Sequence, residues 1–158
     1  MNDMPDPQKP SSVFLPYLIL MCVIFFAFCP ALGAMYLNWD DPGHFTRNPL
    51  VLAPSVQGIL ALFSHPDSVN HTYIPLTILS FVIEKKVFGL SPFFSHLINI
   101  LLHTGVVWLV LVLGRRLGLS AMAAFVAALV FAVHPMRVES VVWVTERKDV
   151  LYAVFYLG

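Results

Sequence analysis

Long uncharged apolar runs alternate with short charged segments along this chain. A membrane-spanning helix needs about 20 consecutive apolar residues, because each residue adds only about 1.5 Å of length. The runs that fit a span are residues 13–37, 93–113 and 117–133, with a fourth that begins at residue 150. The pattern therefore predicts an all-α, polytopic membrane helical bundle over residues 13–158, with connecting loops at 38–92 and 134–149.

The two ends of the chain differ from this pattern. Residues 1–12 contain three prolines and two aspartates, which predicts a disordered cytoplasmic tail. The last apolar run stops after about two helical turns, so we interpret the sequence as an N-terminal fragment of a longer protein. A cleaved signal peptide is the alternative for the first run, because Ala31-Leu32-Gly33-Ala34 offers small side chains. That run is long for a signal peptide, and Lys9 is the only cation before it.

The first predicted loop contains two apolar segments that are too short to cross a bilayer. They are residues 56–63 and residues 73–83, and Glu84-Lys85-Lys86 follows the second segment. Short apolar helices bordered by charges can lie flat in the membrane surface. We therefore expect interfacial helices in this loop.

Charge is scarce along the whole chain. Only 11% of the residues are charged, against about 25% in a typical soluble domain, so the lipid bilayer is an expected partner. The formal net charge is zero, which gives no indication of a nucleic-acid partner. Cys22 and Cys29 lie in the first apolar run, where we expect them to face lipid or the bundle rather than form a disulfide or metal site.

The cations give conflicting signals about orientation. Arg115 and Arg116 lie in a short turn without acidic neighbours, which is typical of the cytoplasmic side, whereas a raw count of the other cations favours the opposite topology. We expect a cytoplasmic N-terminus, since acidic residues accompany those other cations. In either orientation, loops 38–92 and 134–149 lie on the same side, so their charged clusters can meet in one site.

Two adjacent carboxylates, Asp40 and Asp41, follow the first predicted span. A carboxylate at a membrane boundary can act as a general base, bind a metal or pair with a cation. Asp-Asp-Pro-Gly is also favourable turn chemistry, so a solvated turn is the alternative. Metal dependence stays open, because two acidic loops could bind a divalent cation.

Three polar residues share one face of the second predicted span, since His96, Asn99 and His103 are spaced at i, i+3 and i+7. Polar side chains within membrane helices usually face the bundle and form hydrogen bonds there, so we expect a structural polar face. A haem or metal site is less favoured, because no pair of histidines occurs on another span. The lining of a substrate cavity is the third interpretation.

The second predicted loop is rich in polar residues: His134, Arg137, Glu139, Trp143, Glu146, Arg147 and Asp149. If the segment is helical, Glu139, Trp143 and Glu146 share a face, with Arg147 close by. Arginine can hold a phosphate group through two parallel hydrogen bonds. Interfacial salt bridges and snorkelling side chains are the alternative.

Six short motifs together resemble one family. They are Trp39-Asp40-Asp41 with Asn48-Pro49, Tyr73-Ile74-Pro75-Leu76, Phe88-Gly89-Leu90-Ser91-Pro92, the stretch from His96 to His103, Phe131-Ala132-Val133-His134-Pro135 with Glu139-Ser140-Val141, and Arg147-Lys148-Asp149-Val150-Leu151. In this order, from Trp39 to the last residue, the sequence resembles the transmembrane and tetratricopeptide-repeat O-mannosyltransferases and their bacterial relatives.

The resemblance implies a GT-C type glycosyltransferase, a multi-pass helical enzyme with interfacial helices in its first extracytoplasmic loop. Such an enzyme transfers a sugar, in this case expected to be mannose, from a polyprenyl-phosphate donor to hydroxyl groups of a protein acceptor on the extracytoplasmic side. Tetratricopeptide repeats follow the membrane region in this family, and we expect the fragment alone to be inactive. The expected location is the bacterial inner membrane, with the N-terminus in the cytoplasm.

The family pattern also suggests roles for individual residues. An acidic residue of the first loop is implicated in catalysis, so Asp40 or Asp41 is the expected catalytic base. The residues expected to bind the carrier phosphate and substrate are His134, Arg137, Glu139, Arg147 and Asp149. No metal ligand is assigned, and no cofactor is expected beyond the open possibility of a divalent cation.

Two departures from the family pattern leave the sugar open. Many members carry arginine where this chain has Ile74, and animal members commonly carry Gly-Arg-Ala-Asp at Glu146-Arg147-Lys148-Asp149.

A non-catalytic membrane anchor for downstream repeats is the alternative function. A transporter is disfavoured, because the third predicted span has no polar side chain between residues 121 and 133.

Overall fold

The computed structural model describes residues 11–66 and 71–158, and every regular element in this part of the chain is helical. The helices are α1 (Ser11–Phe28), α2 (Pro49–Leu52), α3 (Val56–Ala61), α4 (Pro75–Phe88), α5 (Pro92–Arg116), α6 (Ala121–Val133), α7 (Arg137–Val142) and α8 (Arg147–Leu157). The predicted all-α class is confirmed. Residues 1–10 of the predicted tail lie outside the described residues.

Two helical stretches are long and apolar enough to cross a membrane, Phe14–Gly33 and Pro92–Arg116. The first consists of α1 and a 3₁₀ turn over Cys29–Gly33. Pro30 accounts for the change in helix type, because proline has no backbone N–H and its ring clashes with the carbonyl of the preceding turn. Residues 34–37 are not helical, so the first predicted span extends beyond the helix that it forms.

Helix α6 begins at Ala121, later than the predicted start at residue 117. Gly118 has φ +86°, a left-handed conformation that glycine adopts without steric cost, and it separates α5 from α6. The Ser120 hydroxyl then caps α6 by accepting a hydrogen bond from the Ala123 amide at 3.1 Å. The helix of 13 residues is about 20 Å long, shorter than a hydrocarbon core of about 30 Å.

Helix α4 is longer than the predicted segment 73–83, because it continues through the charged residues that follow. Thr77, Phe81 and Glu84 are spaced at i, i+4 and i+7, so they share one face of this helix. That face is buried. A carboxylate therefore points into the protein from the last part of α4.

The second predicted loop is not one continuous helix. Helix α7 stops at Val142, Trp143 is extended (φ −77°, ψ 119°), and a 3₁₀ turn over Val144–Glu146 leads into α8. The condition under which Glu139 would share a helical face with Trp143 and Glu146 is therefore not met.

Buried apolar side chains form two clusters. The larger cluster lies mainly between α1, α5 and α6, and includes Leu20, Ile24, Val107, Leu111 and Ala128. The smaller cluster is formed mainly by the first predicted loop, and includes Phe45, Val51, Ile78, Phe81 and Val144. Because Val144 belongs to the second loop, the two loops share this smaller core.

Small residues allow α5 and α6 to approach closely. Ala124, Ala128 and Ala132 are fully buried at intervals of about one helical turn. A Cβ atom at Gly114 of α5 would lie only 3.1 Å from the Ala124 Cβ atom. Such small side chains are typical of close contacts between membrane helices.

We predict that Ala128→Leu destabilises the protein by about 1–3 kcal/mol, because this interface has no room for a larger side chain. Ala127→Leu is the matched control, since Ala127 is exposed on the same helix. The measurement is the thermal unfolding of the intact protein in detergent micelles. An equal effect of the two substitutions would contradict this packing.

Candidate active site

A buried ion pair joins the two predicted loops. Arg147, the first residue of α8, is fully buried, and its Nη1 atom lies 2.6 Å from Oε2 of Glu84 on α4. Removing a charge from water is costly unless the charge is paired. Each of these side chains therefore depends on the other to remain inside the protein.

The other donor groups of Arg147 are also used. Its Nε donates to Asn99 Oδ1 at 2.8 Å, Nη1 donates to Ser80 Oγ at 3.3 Å, and Nη2 donates to the Ser95 carbonyl at 3.2 Å. The guanidinium also lies 4.5 Å from the centre of the Phe81 ring. The predicted contact between Arg147 and a carrier phosphate does not agree with this burial, because the side chain is closed off from solvent.

Burial shifts the pKa of two groups around the Arg147–Glu84 ion pair. Burial lowers the pKa of the Arg147 guanidinium, and the Glu84 carboxylate opposes that shift. Arginine does not lose its proton in proteins, so Arg147 stays cationic. Burial raises the pKa of the Tyr36 phenol against the opposing effect of its hydrogen bond with Ser95, so Tyr36 is neutral at physiological pH. The Ser95 hydroxyl links Tyr36 to the ion pair, since it lies 3.1 Å from the Tyr36 hydroxyl and donates to Glu84.

Asp41 fastens the first loop to the second. Its buried Oδ1 atom accepts hydrogen bonds from the Thr145 amide at 3.0 Å and from the Thr145 hydroxyl at 2.5 Å. Its Oδ2 atom accepts a hydrogen bond from the Leu37 amide at 2.8 Å. Asp41 and Thr145 are 104 positions apart in sequence. This contact brings the two predicted loops together, whereas the meeting of their charged clusters in one site stays a prediction.

Asp40 has a different environment from its neighbour. Its side chain is half-buried and forms no hydrogen bond with the residues that the structure describes. Its backbone carbonyl accepts a hydrogen bond from the His44 amide at 3.0 Å, at the start of a π-helical turn over Pro42–Thr46. The backbone of Asp40 is thus held in place while its carboxylate stays available.

The polar face of α5 is buried against neighbouring elements. His96, Asn99 and His103 are each 2% exposed or less. His103 Nε2 lies 2.9 Å from the Ala132 carbonyl of α6, and Asn99 Nδ2 donates to the Trp143 carbonyl at 3.3 Å. These contacts attach α5 to α6 and to the second loop.

The remaining candidate residues of the second loop are more accessible. The exposed ones are His134, Glu139 and Asp149, whereas Arg137 is half-buried. Within the described ranges Arg137 forms no ion pair, and its guanidinium lies 5.2 Å from the centre of the Phe131 ring. Arg137 and Asp149 line the same cavity of about 20 Å³, which has room for about one water molecule.

An apolar groove of about 350 Å³ lies between the end of α1 and helix α7. Its lining residues are Ala27, Phe28, Pro30, Ala31, Ala34, Val138 and Val142. Arg137 is the first residue of α7 and directly precedes Val138. The Arg137 side chain does not line this groove, because its guanidinium lies against the Phe131 ring and lines the cavity of about 20 Å³.

Sequence reasoning missed three residues of the buried contacts around Arg147 and Asp41: Glu84, Ser95 and Thr145. The spacing of Glu84 from Thr77 and Phe81 is a local signal for its burial, but Ser95 and Thr145 have no such signal. The sequence left open whether a divalent cation binds. Among residues 11–66 and 71–158, no three His, Cys, Asp or Glu side chains are grouped as metal ligands.

Comparison with known proteins identifies relatives of one kind. The chain is 32% identical to the human protein O-mannosyl-transferase TMTC4, in an alignment that covers 96% of this chain and 24% of that protein. It is 39% identical to mouse protein O-mannosyl-transferase TMTC1 over 75% of this chain and 13% of that protein. It is 38% identical to Drosophila protein O-mannosyl-transferase Tmtc1 over 58% of this chain and 11% of that protein.

The chain thus spans about a quarter or less of the length of these relatives. No protein-family model matches the chain, and no solved structure matches it.

We predict that Glu84→Gln lowers the free energy of unfolding by about 3–5 kcal/mol, because it leaves the Arg147 charge buried without a counter-ion. Glu146→Gln is the matched control. Its partner Lys148 lies 2.7 Å away but is partly exposed, so this loss should cost less than about 1 kcal/mol. Thermal unfolding in detergent measures both variants. Similar losses of stability in Glu84→Gln and Glu146→Gln would show that the buried ion pair stabilises the protein no more than the partly exposed pair does.

Proposed function

The chain belongs to the TMTC-like family of protein O-mannosyl-transferases, and from this membership we propose that it forms part of an integral membrane enzyme that transfers mannose to protein hydroxyl groups. The observation that carries the proposal is the pair of loops joined by Asp41 and Thr145, with the free carboxylate of Asp40 beside that contact. The two apolar helical stretches of sufficient length support a membrane location.

The proposed donor is mannose linked to a polyprenyl phosphate. An apolar chain of that kind suits the groove between α1 and α7, whose lining contains no polar side chain. Arg137 directly precedes the groove residue Val138 and has no ion-pair partner among the described residues, and we propose that its side chain turns from the Phe131 ring toward the groove to hold the phosphate. The second loop also carries exposed groups for contacts with sugar hydroxyls: the Glu139 carboxylate, the His134 Nε2 atom and the Asp149 Oδ1 atom, since His134 Nδ1 accepts a hydrogen bond from the Met136 amide and Asp149 Oδ2 accepts one from Ser140.

Asp40 is the proposed general base. A base must be able to reach the hydroxyl proton that it removes, and the Asp40 carboxylate is partly accessible and makes no competing hydrogen bond with the described residues. The Asp41 carboxylate is buried and accepts three hydrogen bonds, which keep it occupied. Asp41 instead positions the loop that carries Asp40.

The proposed step is a single displacement at the anomeric carbon. The acceptor hydroxyl oxygen forms a bond to that carbon as the bond from the carbon to the phosphate oxygen breaks. The hydroxyl proton passes to the Asp40 carboxylate, and the polyprenyl phosphate leaves with the electron pair of the broken bond. Arg137 stabilises the charge that develops on the departing phosphate. Attack from the face opposite the leaving group inverts the anomeric configuration.

The proposed reaction takes place on the extracytoplasmic side, with the N-terminus in the cytoplasm. The end of α5 supports this orientation, because Arg115 and Arg116 lie in its last turn without acidic neighbours in the sequence. The human, mouse and Drosophila relatives are animal proteins and do not support a bacterial location. The proposed location in the bacterial inner membrane rests only on the interpretation of the sequence.

We predict that Asp40→Asn lowers the rate of mannose transfer by about 10²-fold or more, because it removes the base while leaving the fold intact. The assay supplies radiolabelled polyprenyl-phosphate mannose to membranes that contain the intact protein, and it counts the label transferred to protein. Thermal unfolding of each purified variant accompanies the assay.

Asp41→Asn is the informative comparison. It removes acceptor capacity at a buried contact, so we expect a lower unfolding temperature together with reduced transfer.

Full transfer by Asp40→Asn would rule out Asp40 as the base. The alternative of a non-catalytic membrane anchor would be favoured if the native protein were inactive with every polyprenyl-phosphate sugar.

A further inference from the structure

Two tryptophans flank the contact between the loops. Trp39 is 80% exposed, and the centre of its ring lies 6.2 Å from that of Trp143, with an angle of 57° between the ring planes. Trp143 is only partly buried. The two indoles thus form an aromatic surface that remains open on the side of Trp39.

This surface is fixed by buried hydrogen bonds. Trp39 lies two residues before Asp41, and Trp143 lies two residues before Thr145, so the Asp41–Thr145 bonds hold both segments together. The Trp143 carbonyl also accepts a hydrogen bond from Asn99 of α5. The backbone that carries each ring is therefore held in place, and the contact between the two rings adds to this positioning.

We infer that Trp39 and Trp143 form a sugar-binding surface against which the mannosyl ring of the donor rests during transfer. The inference rests on the proposed function, and it names the surface that would determine which sugar is transferred. Asp40 directly follows Trp39, so the surface adjoins the proposed base.

The chemistry of the sugar fits an indole face. One face of a pyranose ring presents C–H groups, which carry a small positive charge, and the face of an aromatic ring is negative. Glycosyl transfer also proceeds through a transition state with oxocarbenium character, as in glycoside hydrolysis. An indole face stabilises a nearby positive charge, so the surface should favour the transition state over the bound donor.

The first test measures kcat and KM for polyprenyl-phosphate mannose in membranes with the intact protein. Trp39→Ala should lower kcat/KM by about 10-fold, mainly through kcat, and Trp39→Phe should retain most of the activity because it keeps an aromatic face. Trp108→Ala is the matched control, since Trp108 contacts Tyr17 on α1 and belongs to neither loop. Trp39 is exposed, so its replacement leaves the core intact. Equal losses in Trp39→Ala and Trp108→Ala, or unchanged transfer in Trp39→Ala, would overturn the inference.

A binding experiment separates this inference from the proposed transfer reaction. It uses the intact protein in lipid nanodiscs with Trp108→Phe, which leaves the two loop tryptophans as the only indole fluorophores among residues 1–158. Titration with polyprenyl-phosphate mannose should change their fluorescence more than titration with the same polyprenyl phosphate without sugar, and Trp39→Ala should remove that difference. Absence of a sugar-dependent change in the protein with both loop tryptophans would overturn the inference even if transfer occurs. A sugar-dependent change without transfer would support the binding surface and count against the proposed reaction.

Discussion

The buried ion pair between Arg147 and Glu84 is the contact on which the arrangement of both loops depends. It joins the start of α8 to the last turns of α4, and Asn99 extends the connection to α5. Neither charge can remain inside the protein alone, since an unpaired buried charge costs several kcal/mol, on the order of 3–5 kcal/mol when one partner is removed. The pair therefore favours an arrangement of α4 and α8 in which the two charges meet. Arg147, the first residue of α8, therefore stabilises the fold and is not part of a charged surface.

The placement of Arg147 also determines how the neighbouring residues can be used. Thr145 precedes it by two residues and bonds to Asp41, so the same short segment that buries the arginine also holds the first loop. One of two adjacent carboxylates is thereby committed to structure. Asp40 is left partly exposed with a fixed backbone, which is the situation that a general base requires. Structure and proposed chemistry are thus divided between consecutive residues.

The sequence predicted the helical class well, because long uncharged runs leave few alternatives to a membrane helix. It was less reliable where a single residue changes the backbone: Pro30 converts the end of the first run into a 3₁₀ turn, and Gly118 delays the start of α6. It was least reliable for side-chain roles. Whether Arg147 faces a phosphate or a buried Glu84 depends on a partner far away in sequence, and no local pattern contains that information. The same holds for the difference between Asp40 and its neighbour.

Arg147 and Glu84 must stabilise the protein as a pair if they hold the two loops in this arrangement. The most direct measurement is a double-mutant cycle of unfolding free energies in detergent, with Glu84→Gln, Arg147→Met and the double variant. Each single substitution leaves one charge buried and unpaired, whereas the double variant leaves none. We expect the double variant to be destabilised by at least about 2 kcal/mol less than the sum of the two single effects. Single effects that simply add would contradict this interdependence, because the two side chains would then contribute independently.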